Sequence, residues 1–331
     1  MLGKYSSVRA PQAPIFSLMN TINNKYIQTI ASKFLFGVAL LFALLSLHSC
    51  GEDHVWDKPN TGGSGFYPTS SFTARMETPR VLTDGSTVLI DHSTTVNGKN
   101  VVTYELEYDK EKLHSRWVAF RFDGNTRGKS TGRSDEPFQD DPNLSSIYHI
   151  GHYGFGGKYN RGHLCASNDR LYNTTANEQT FYMTNMSPQL GSFNQGYWIT
   201  LESLVQRLGR NATFSDTLYV VKGGTIRDTR DNQEVMDYVS RSNGKRIAVP
   251  KYYYMALLKV KNGTYSSIAF WMEHKEYGYT YKNQAPLSEI KKTAITVNQL
   301  EERTGIDFFP NLPDVAEEIV ENSCLPGTWG M

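Results

Sequence analysis

Asn160-Arg161-Gly162-His163, then Asn185, Asn194 and Glu202, bring an imidazole, a guanidinium, amide oxygens and a carboxylate into one short stretch of the chain. Metal-assisted cleavage of a phosphodiester calls for such a set. Near its ordinary pKa of about 6.5 a neutral His163 can take a proton from water, help worth roughly 10²–10⁴ in rate. The amide oxygen of Asn194 suits a hard, water-rich ion such as Mg²⁺, with Mn²⁺ as an alternative, and a helix N-cap role is compatible with it. Arg161 and Arg133 offer forked donors to phosphate oxygens. Arg121, Arg127, Lys129 and Arg133 form either a basic patch for such a substrate or a plain solvated face.

These groups need elements to hold them. Alternating or continuous apolar runs predict strands over Val101 to Tyr108, Trp117 to Phe122, Phe181 to Met186, Leu218 to Val221, Tyr252 to Val260 and Ile268 to Met272. Tyr252 to Leu258 is apolar on both faces, which suits a central strand covered by other layers. Trp198, Leu201, Val205 and Leu208 recur at helical spacing, so a helix should begin near Asn194 and run to Leu208. On an ideal α-helix Glu202 would stand about 12 Å beyond Asn194 and some 80° around from it, which argues against a shared set of metal ligands. A second helix should open at Thr296, where Thr-Val-Asn-Gln299 matches a capping box, and stop at Gly305. Strands and helices interleave without a repeat, giving a mixed α/β (α+β) fold class. Asn185 should sit on the strand beside His163 and orient substrate or water; an asparagine that merely forms a turn before Met186-Ser187-Pro188 is the competing reading.

The order and spacing of Asn160-Arg161-Gly162-His163, Thr184-Asn185-Met186-Ser187-Pro188-Gln189 and Asn194-Gln195-Gly196-Tyr197-Trp198 resemble the DNA/RNA non-specific endonuclease family, the ββα-metal enzymes that include endonuclease G. Flanking segments extend the resemblance from about Val88 to about Pro313: Trp117 to Phe122, Arg133 to Asp141, Tyr219 to Gly224, Val249 to Lys251 and Thr304 to Pro310. The resemblance implies a central antiparallel-rich sheet with helices on both sides, DNA and RNA as substrates, and Asn194 as the direct metal ligand. It also implies that Glu202 acts on the metal through water; a solvated helix carboxylate is the bland alternative. One position departs from the pattern. Asn160 stands where an aspartate is usual, which should weaken electrostatic support of Arg161 without removing base or ligand. This change is the only sequence support for a rival reading, a catalytically impaired surface lipoprotein that binds extracellular nucleic acid.

A net charge of +1 excludes a protein that coats nucleic acid electrostatically, so any such site must be local. With 331 residues, 39% hydrophobic and 12% aromatic, the chain can build a full core. Phe34 to Leu47 is apolar but, at about 21 Å as a helix, too short to cross a bilayer. It reads as a secretory signal ending in Leu47-His48-Ser49-Cys50, which looks like a bacterial lipobox with Cys50 as the lipidated residue; a cysteine after an ordinary signal peptide is the alternative. Met19 is a plausible true start. The expected layout is a lipoprotein signal peptide over 1–49, a flexible tether over 50–85, a nuclease domain over 86–321 and a tail over 322–331. Such a protein would be exported and lipid-anchored to the bacterial cell envelope, at the outer membrane, with an oligomeric state that the sequence leaves open. Cys165 and Cys324 can pair, or Cys165 can serve as a small buried hydrophobe. A zinc site from His149, His152, His163 and Cys165 lacks the usual paired-ligand spacing. Tyr153, Phe155 and Tyr159 are core aromatics or base-stacking ones.

Overall fold

The computed structural model describes residues 75–331 except 136 and 228–233. The chain divides into two units, Met1–Gly63 and Ser64–Met331, and all described residues belong to the second. The expected signal peptide, Cys50 and the tether up to residue 74 lie outside the described residues. No helix among the described residues is long and apolar enough to cross a membrane.

Eleven strands occur among the described residues: β1 Thr87–Val96, β2 Lys99–Asp109, β3 His114–Phe122, β4 Tyr159–His163, β5 Met186–Leu190, β6 Thr217–Gly224, β7 Val235–Ser240, β8 Arg246–Pro250, β9 Tyr252–Lys261, β10 Thr264–Glu273 and β11 Ala294–Ile295. Five α-helices accompany them: α1 Thr174–Gln179, α2 Ile199–Arg210, α3 Leu287–Lys291, α4 Val297–Thr304 and α5 Asp314–Glu321. A seven-stranded antiparallel sheet runs in the order β1-β2-β3-β6-β9-β10-β11, and two ribbons, β4-β5 and β7-β8, stand apart from it. Hairpins build much of the sheet. Asn97-Gly98 and Asn262-Gly263 have positive φ at both residues, the geometry that a tight two-residue turn requires.

The interior strand β9 faces two cores. Tyr253, Met255 and Leu257 of β9 point into the larger one, with Trp198, Leu201 and Val205 of the helical segment; Tyr254, Ala256 and Leu258 point into the other, with Val297 and Leu300 of α4. Period-two alternation thus buries both faces, as the apolar run of β9 led one to expect. On β6 the same parity sends Leu218 and Val220 toward the larger core and Val221 toward the smaller. The next residue in phase with Val220 is Lys222, and it is completely buried on that side.

Helix α4 has the expected limits: Thr296 Oγ1 accepts from the Gln299 amide at 3.0 Å, Gln299 Oε1 accepts from the Thr296 amide at 3.1 Å, and Gly305 closes the helix at φ 64°. Three expectations are corrected. Phe181 to Met186 is not a strand; Met183–Asn185 winds into a 3-10 turn, and β5 starts only at Met186. The cause is Asn185, whose side chain bonds nearby backbone and draws the chain into a turn. The tether does not reach residue 85, because Arg75 meets buried Glu105 at 2.8 Å and Glu77 and Thr78 are buried. Nor is the end of the chain a loose tail: Trp329 is 1% exposed and packs edge-on against Phe214 at 5.6 Å.

Candidate active site

Ribbon β4-β5 and the helical segment after it form one wall of a cleft of about 900 Å³. In the ribbon Arg161 faces Pro188, Gly162 faces Ser187 and His163 faces Met186. At Gly162 the side chain of Gln189 on the neighbouring strand occupies the space that a Cβ would take. Two buried histidines tie β5 to the main sheet. His114 Nε2 lies 2.6 Å from Ser187 Oγ, and the Leu190 amide donates to His274 Nε2 at 2.7 Å. Burial holds both imidazoles down at about 4, so they stay neutral.

Arg133, Arg161, His163, Asn194 and Glu202 all line the cleft. His163 packs against Phe181 at 5.3 Å and Phe138 at 5.8 Å. Its Nε2 is buried without a hydrogen-bond partner. Burial, reinforced by the positive charge of Arg133, lowers its pKa to about 3, which keeps the ring neutral at ordinary pH. The same two aromatic rings seat the arginines: the Arg161 guanidinium lies 3.7 Å from the Phe138 centroid and that of Arg133 4.8 Å from the Phe181 centroid. Arg161 also donates to the His152 carbonyl at 2.7 Å. Its placement therefore rests on a ring and a carbonyl, so an uncharged Asn160 does not displace it.

The helical segment begins differently from the expectation. Phe193–Trp198 is a π turn, with the Ile199 amide reaching back to the Asn194 carbonyl, and the α-helix α2 follows. A π turn absorbs one extra residue, so Glu202 falls within about 20° of Asn194 around the axis instead of 80°. Both side chains consequently open on the same cleft. Gly196 permits this winding against the 277–285 loop, since a Cβ there would overlap the Tyr279 backbone. The loop is pinned to the turn by the Ala285 amide on the Gly196 carbonyl at 2.7 Å and by Tyr277 stacked on Tyr197 at 4.0 Å.

Asn185 is not in the cleft, which corrects its expected role. Its Oδ1 accepts from the Cys165 amide at 2.8 Å, and its Nδ2 donates to the carbonyls of Cys165 at 2.8 Å and Thr180 at 2.7 Å. Every polar atom of the side chain is spent on backbone, so it shapes the turn behind His163. The basic stretch also divides. Arg121 pairs with Asp123 at 3.0 Å and Arg127 with the Ser215 carbonyl at 3.1 Å, so of these only Arg133 reaches the cleft. Phe155 and Tyr159 are core residues, whereas Tyr153 is 71% exposed. His149 Nε2 bonds the Leu144 carbonyl at 2.9 Å, and Cys165 and Cys324 are both free thiols.

What lies under Glu202 has no counterpart among the residues that the sequence marks. Trp198 Nε1 donates to Glu202 Oε1 at 3.1 Å, Lys222 Nζ stands 3.7 Å from the same oxygen, and Lys222 is bound to Asp169 at 2.7 Å. Burial pushes the Glu202 carboxyl up to about 7 against the opposing pull of Lys222. The only signal in the sequence was the parity of β6, which puts Lys222 on the inner face; nothing local marks Asp169.

Over residues 84–315 the sequence matches the family model for DNA/RNA non-specific endonucleases. The chain belongs to the DNA/RNA non-specific endonuclease family. Relatives within that family include nuclease C1 of Cunninghamella echinulata, 28% identical over 63% of this chain and 81% of its own length. Human mitochondrial nuclease EXOG is 27% identical over 68% of this chain, which spans 60% of that longer protein. Bovine mitochondrial endonuclease G is 26% identical over 65% of this chain and 69% of its own. The fold agrees as well: a chain of the solved EndoG/EndoGI complex superposes with a TM-score of 0.51 at 21% identity, covering 68% of this chain and 88% of that one. The mixed α/β architecture with its large antiparallel sheet is thus the ββα-metal nuclease fold of this family.

Proposed function

We propose that the chain is a metal-dependent endonuclease that hydrolyses phosphodiester bonds of DNA and RNA with little sequence preference, with His163 as general base and Mg²⁺ or Mn²⁺ as its ion. The observation that carries this reading is the cleft itself, where a neutral His163 lines one cavity with two arginines, an amide and a carboxylate. The donors fit a hard divalent ion. Asn194 offers a neutral oxygen and Glu202 a carboxylate on the same cleft, the oxygen donors such an ion prefers. Asn194 would hold the ion directly, and Glu202 through water. When bound, the ion supplies positive charge to a phosphate that grows more negative toward the transition state.

His163 takes the proton of the attacking water, with Phe138 and Phe181 packed against its ring. Arg133 and Arg161, held on those rings, present their guanidinium edges to phosphate oxygens. Contacts to phosphate carry no sequence information, and they account for low selectivity together with strong sensitivity to salt. Digestion of plasmid DNA and of RNA by the purified protein, with and without chelator and at rising salt, tests the reading. Chelator-resistant cleavage, a discrete set of cut sites or indifference to RNA would each count against it.

We further propose that Cys50 carries a lipid that anchors the exported protein to the bacterial cell envelope, at the outer membrane, on the strength of the short apolar run and Leu47-His48-Ser49-Cys50. Cys50→Ser should then leave unprocessed precursor or released protein, and unchanged size and membrane partition would exclude the anchor.

A further inference from the structure

We infer that Lys222 is a positioning residue for the cation side of this cleft, acting with Asp169 through Glu202. The inference rests on the reading of Asn194 and Glu202 given above. Lys222 is completely buried, on the inner face of β6 beneath α2, and it touches no substrate-accessible space of its own. A buried ammonium is costly unless it is paired, and two carboxylates stand beside this one. Asp169 Oδ2 binds it at 2.7 Å, and Glu202 Oε1 stands at 3.7 Å.

Asp169 is itself fully engaged. Its Oδ2 also accepts from the Ala166 amide at 2.9 Å, and its Oδ1 accepts from Gln206 Nε2 at 3.0 Å. Gln206 lies one helical turn beyond Glu202 on α2, while Asp169 sits in the Ser167–Arg170 turn just after the His163 strand. The pair therefore fastens three pieces at one point: the turn following the base, the sheet, and the helix that carries Glu202. Glu202 and Gln206 are the members of the group that line the cleft, and Glu202 is the one that brings a carboxylate to it. With Trp198 holding the same oxygen at 3.1 Å, the carboxylate has one oxygen anchored from below and one left for the cleft.

Lys222 would thus govern ion affinity without touching the ion. Outer partners of metal-site side chains usually change affinity about 10–100-fold when removed. The test is Mn²⁺ affinity of the full-length protein, read by electron paramagnetic resonance without any turnover. Four forms are compared: parent, Glu202→Gln, the neutral swap Lys222→Met with Asp169→Asn, and the combination of all three changes. The swap should weaken Mn²⁺ binding about tenfold or more, and the combination should bind no more weakly than Glu202→Gln alone. Lys222→Gln with Asp169→Asn keeps a hydrogen-bonded pair in place and gives the same comparison if the Met form does not fold. Parental Mn²⁺ affinity in a folded neutral swap, or a loss that adds in full to that of Glu202→Gln, overturns the role of Lys222 while leaving Glu202 in place. An unchanged affinity in Glu202→Gln instead overturns the reading beneath it.

Discussion

At the scale of single residues, His163 is packed against Phe138 and Phe181, and its burial and then the charge of Arg133 disfavour its protonated form. A base in that position starts neutral at any ordinary pH, and its partner-free Nε2 is a reason to assign it the proton transfer. His163→Ala should lower turnover on plasmid by at least about two orders of magnitude while filter-bound nucleic acid is retained. Near-parental cleavage would remove the assignment. Asn194 and Glu202 differ in expected directness. Asn194→Ala should raise the Mg²⁺ concentration that gives half-maximal cleavage more than Glu202→Ala does, because a contact through water is the weaker constraint. Equal Mg²⁺ dependence of both variants and the parent would put the ion elsewhere.

At the scale of elements, the π turn Phe193–Trp198 decides which side chains share the cleft. An ideal α-helix from Asn194 would have turned Glu202 away; one absorbed residue turns it back. The turn is held open by the close approach of Gly196 to the Tyr279 backbone, where neither partner can yield cheaply. Gly196→Ala should therefore melt several degrees below the parent, in line with about 1–3 kcal/mol for overpacking, and should also raise the Mg²⁺ requirement by tilting Asn194. A melt and an Mg²⁺ titration on the same sample check both. A variant that loses stability with an unchanged Mg²⁺ requirement would mean that the loop supports the fold and not the site.

Across the whole molecule, the large sheet separates the chemistry from a second core on its far face, where α4 and α5 pack. Glu321 of α5 is 5% exposed, and burial beside Glu301, Glu317 and Asp307 pushes its carboxyl up to about 9. A raised carboxyl favours the folded state below its unfolded pKa of about 4.3, and this advantage is lost as pH rises toward the folded value. Glu321→Gln is neutral at every pH, so its melting temperature should match that of the parent near pH 5 and exceed it increasingly up to pH 9. A constant difference across that range would show that the side chain does not stay protonated in the fold.

The sequence alone determined five strands of the main sheet, β2, β3, β6, β9 and β10, though not β1 or β11, together with the capping box of α4 and the members of the cleft that lie close together in the chain. These follow from period-two and helical patterning and from local side-chain chemistry, which act over a few residues. What tertiary structure decided were the cases where a local pattern had more than one outlet. Asn185 had the right type for a cleft residue, yet the backbone of Cys165 and Thr180 claimed its amide. Asn194 and Glu202 had a spacing that misled, because the winding of their helix was set by a loop some eighty residues away in sequence. Lys222 and Asp169, 53 positions apart, meet only because β6 and the turn after β4 are packed beneath one helix, and burial then makes their pairing compulsory.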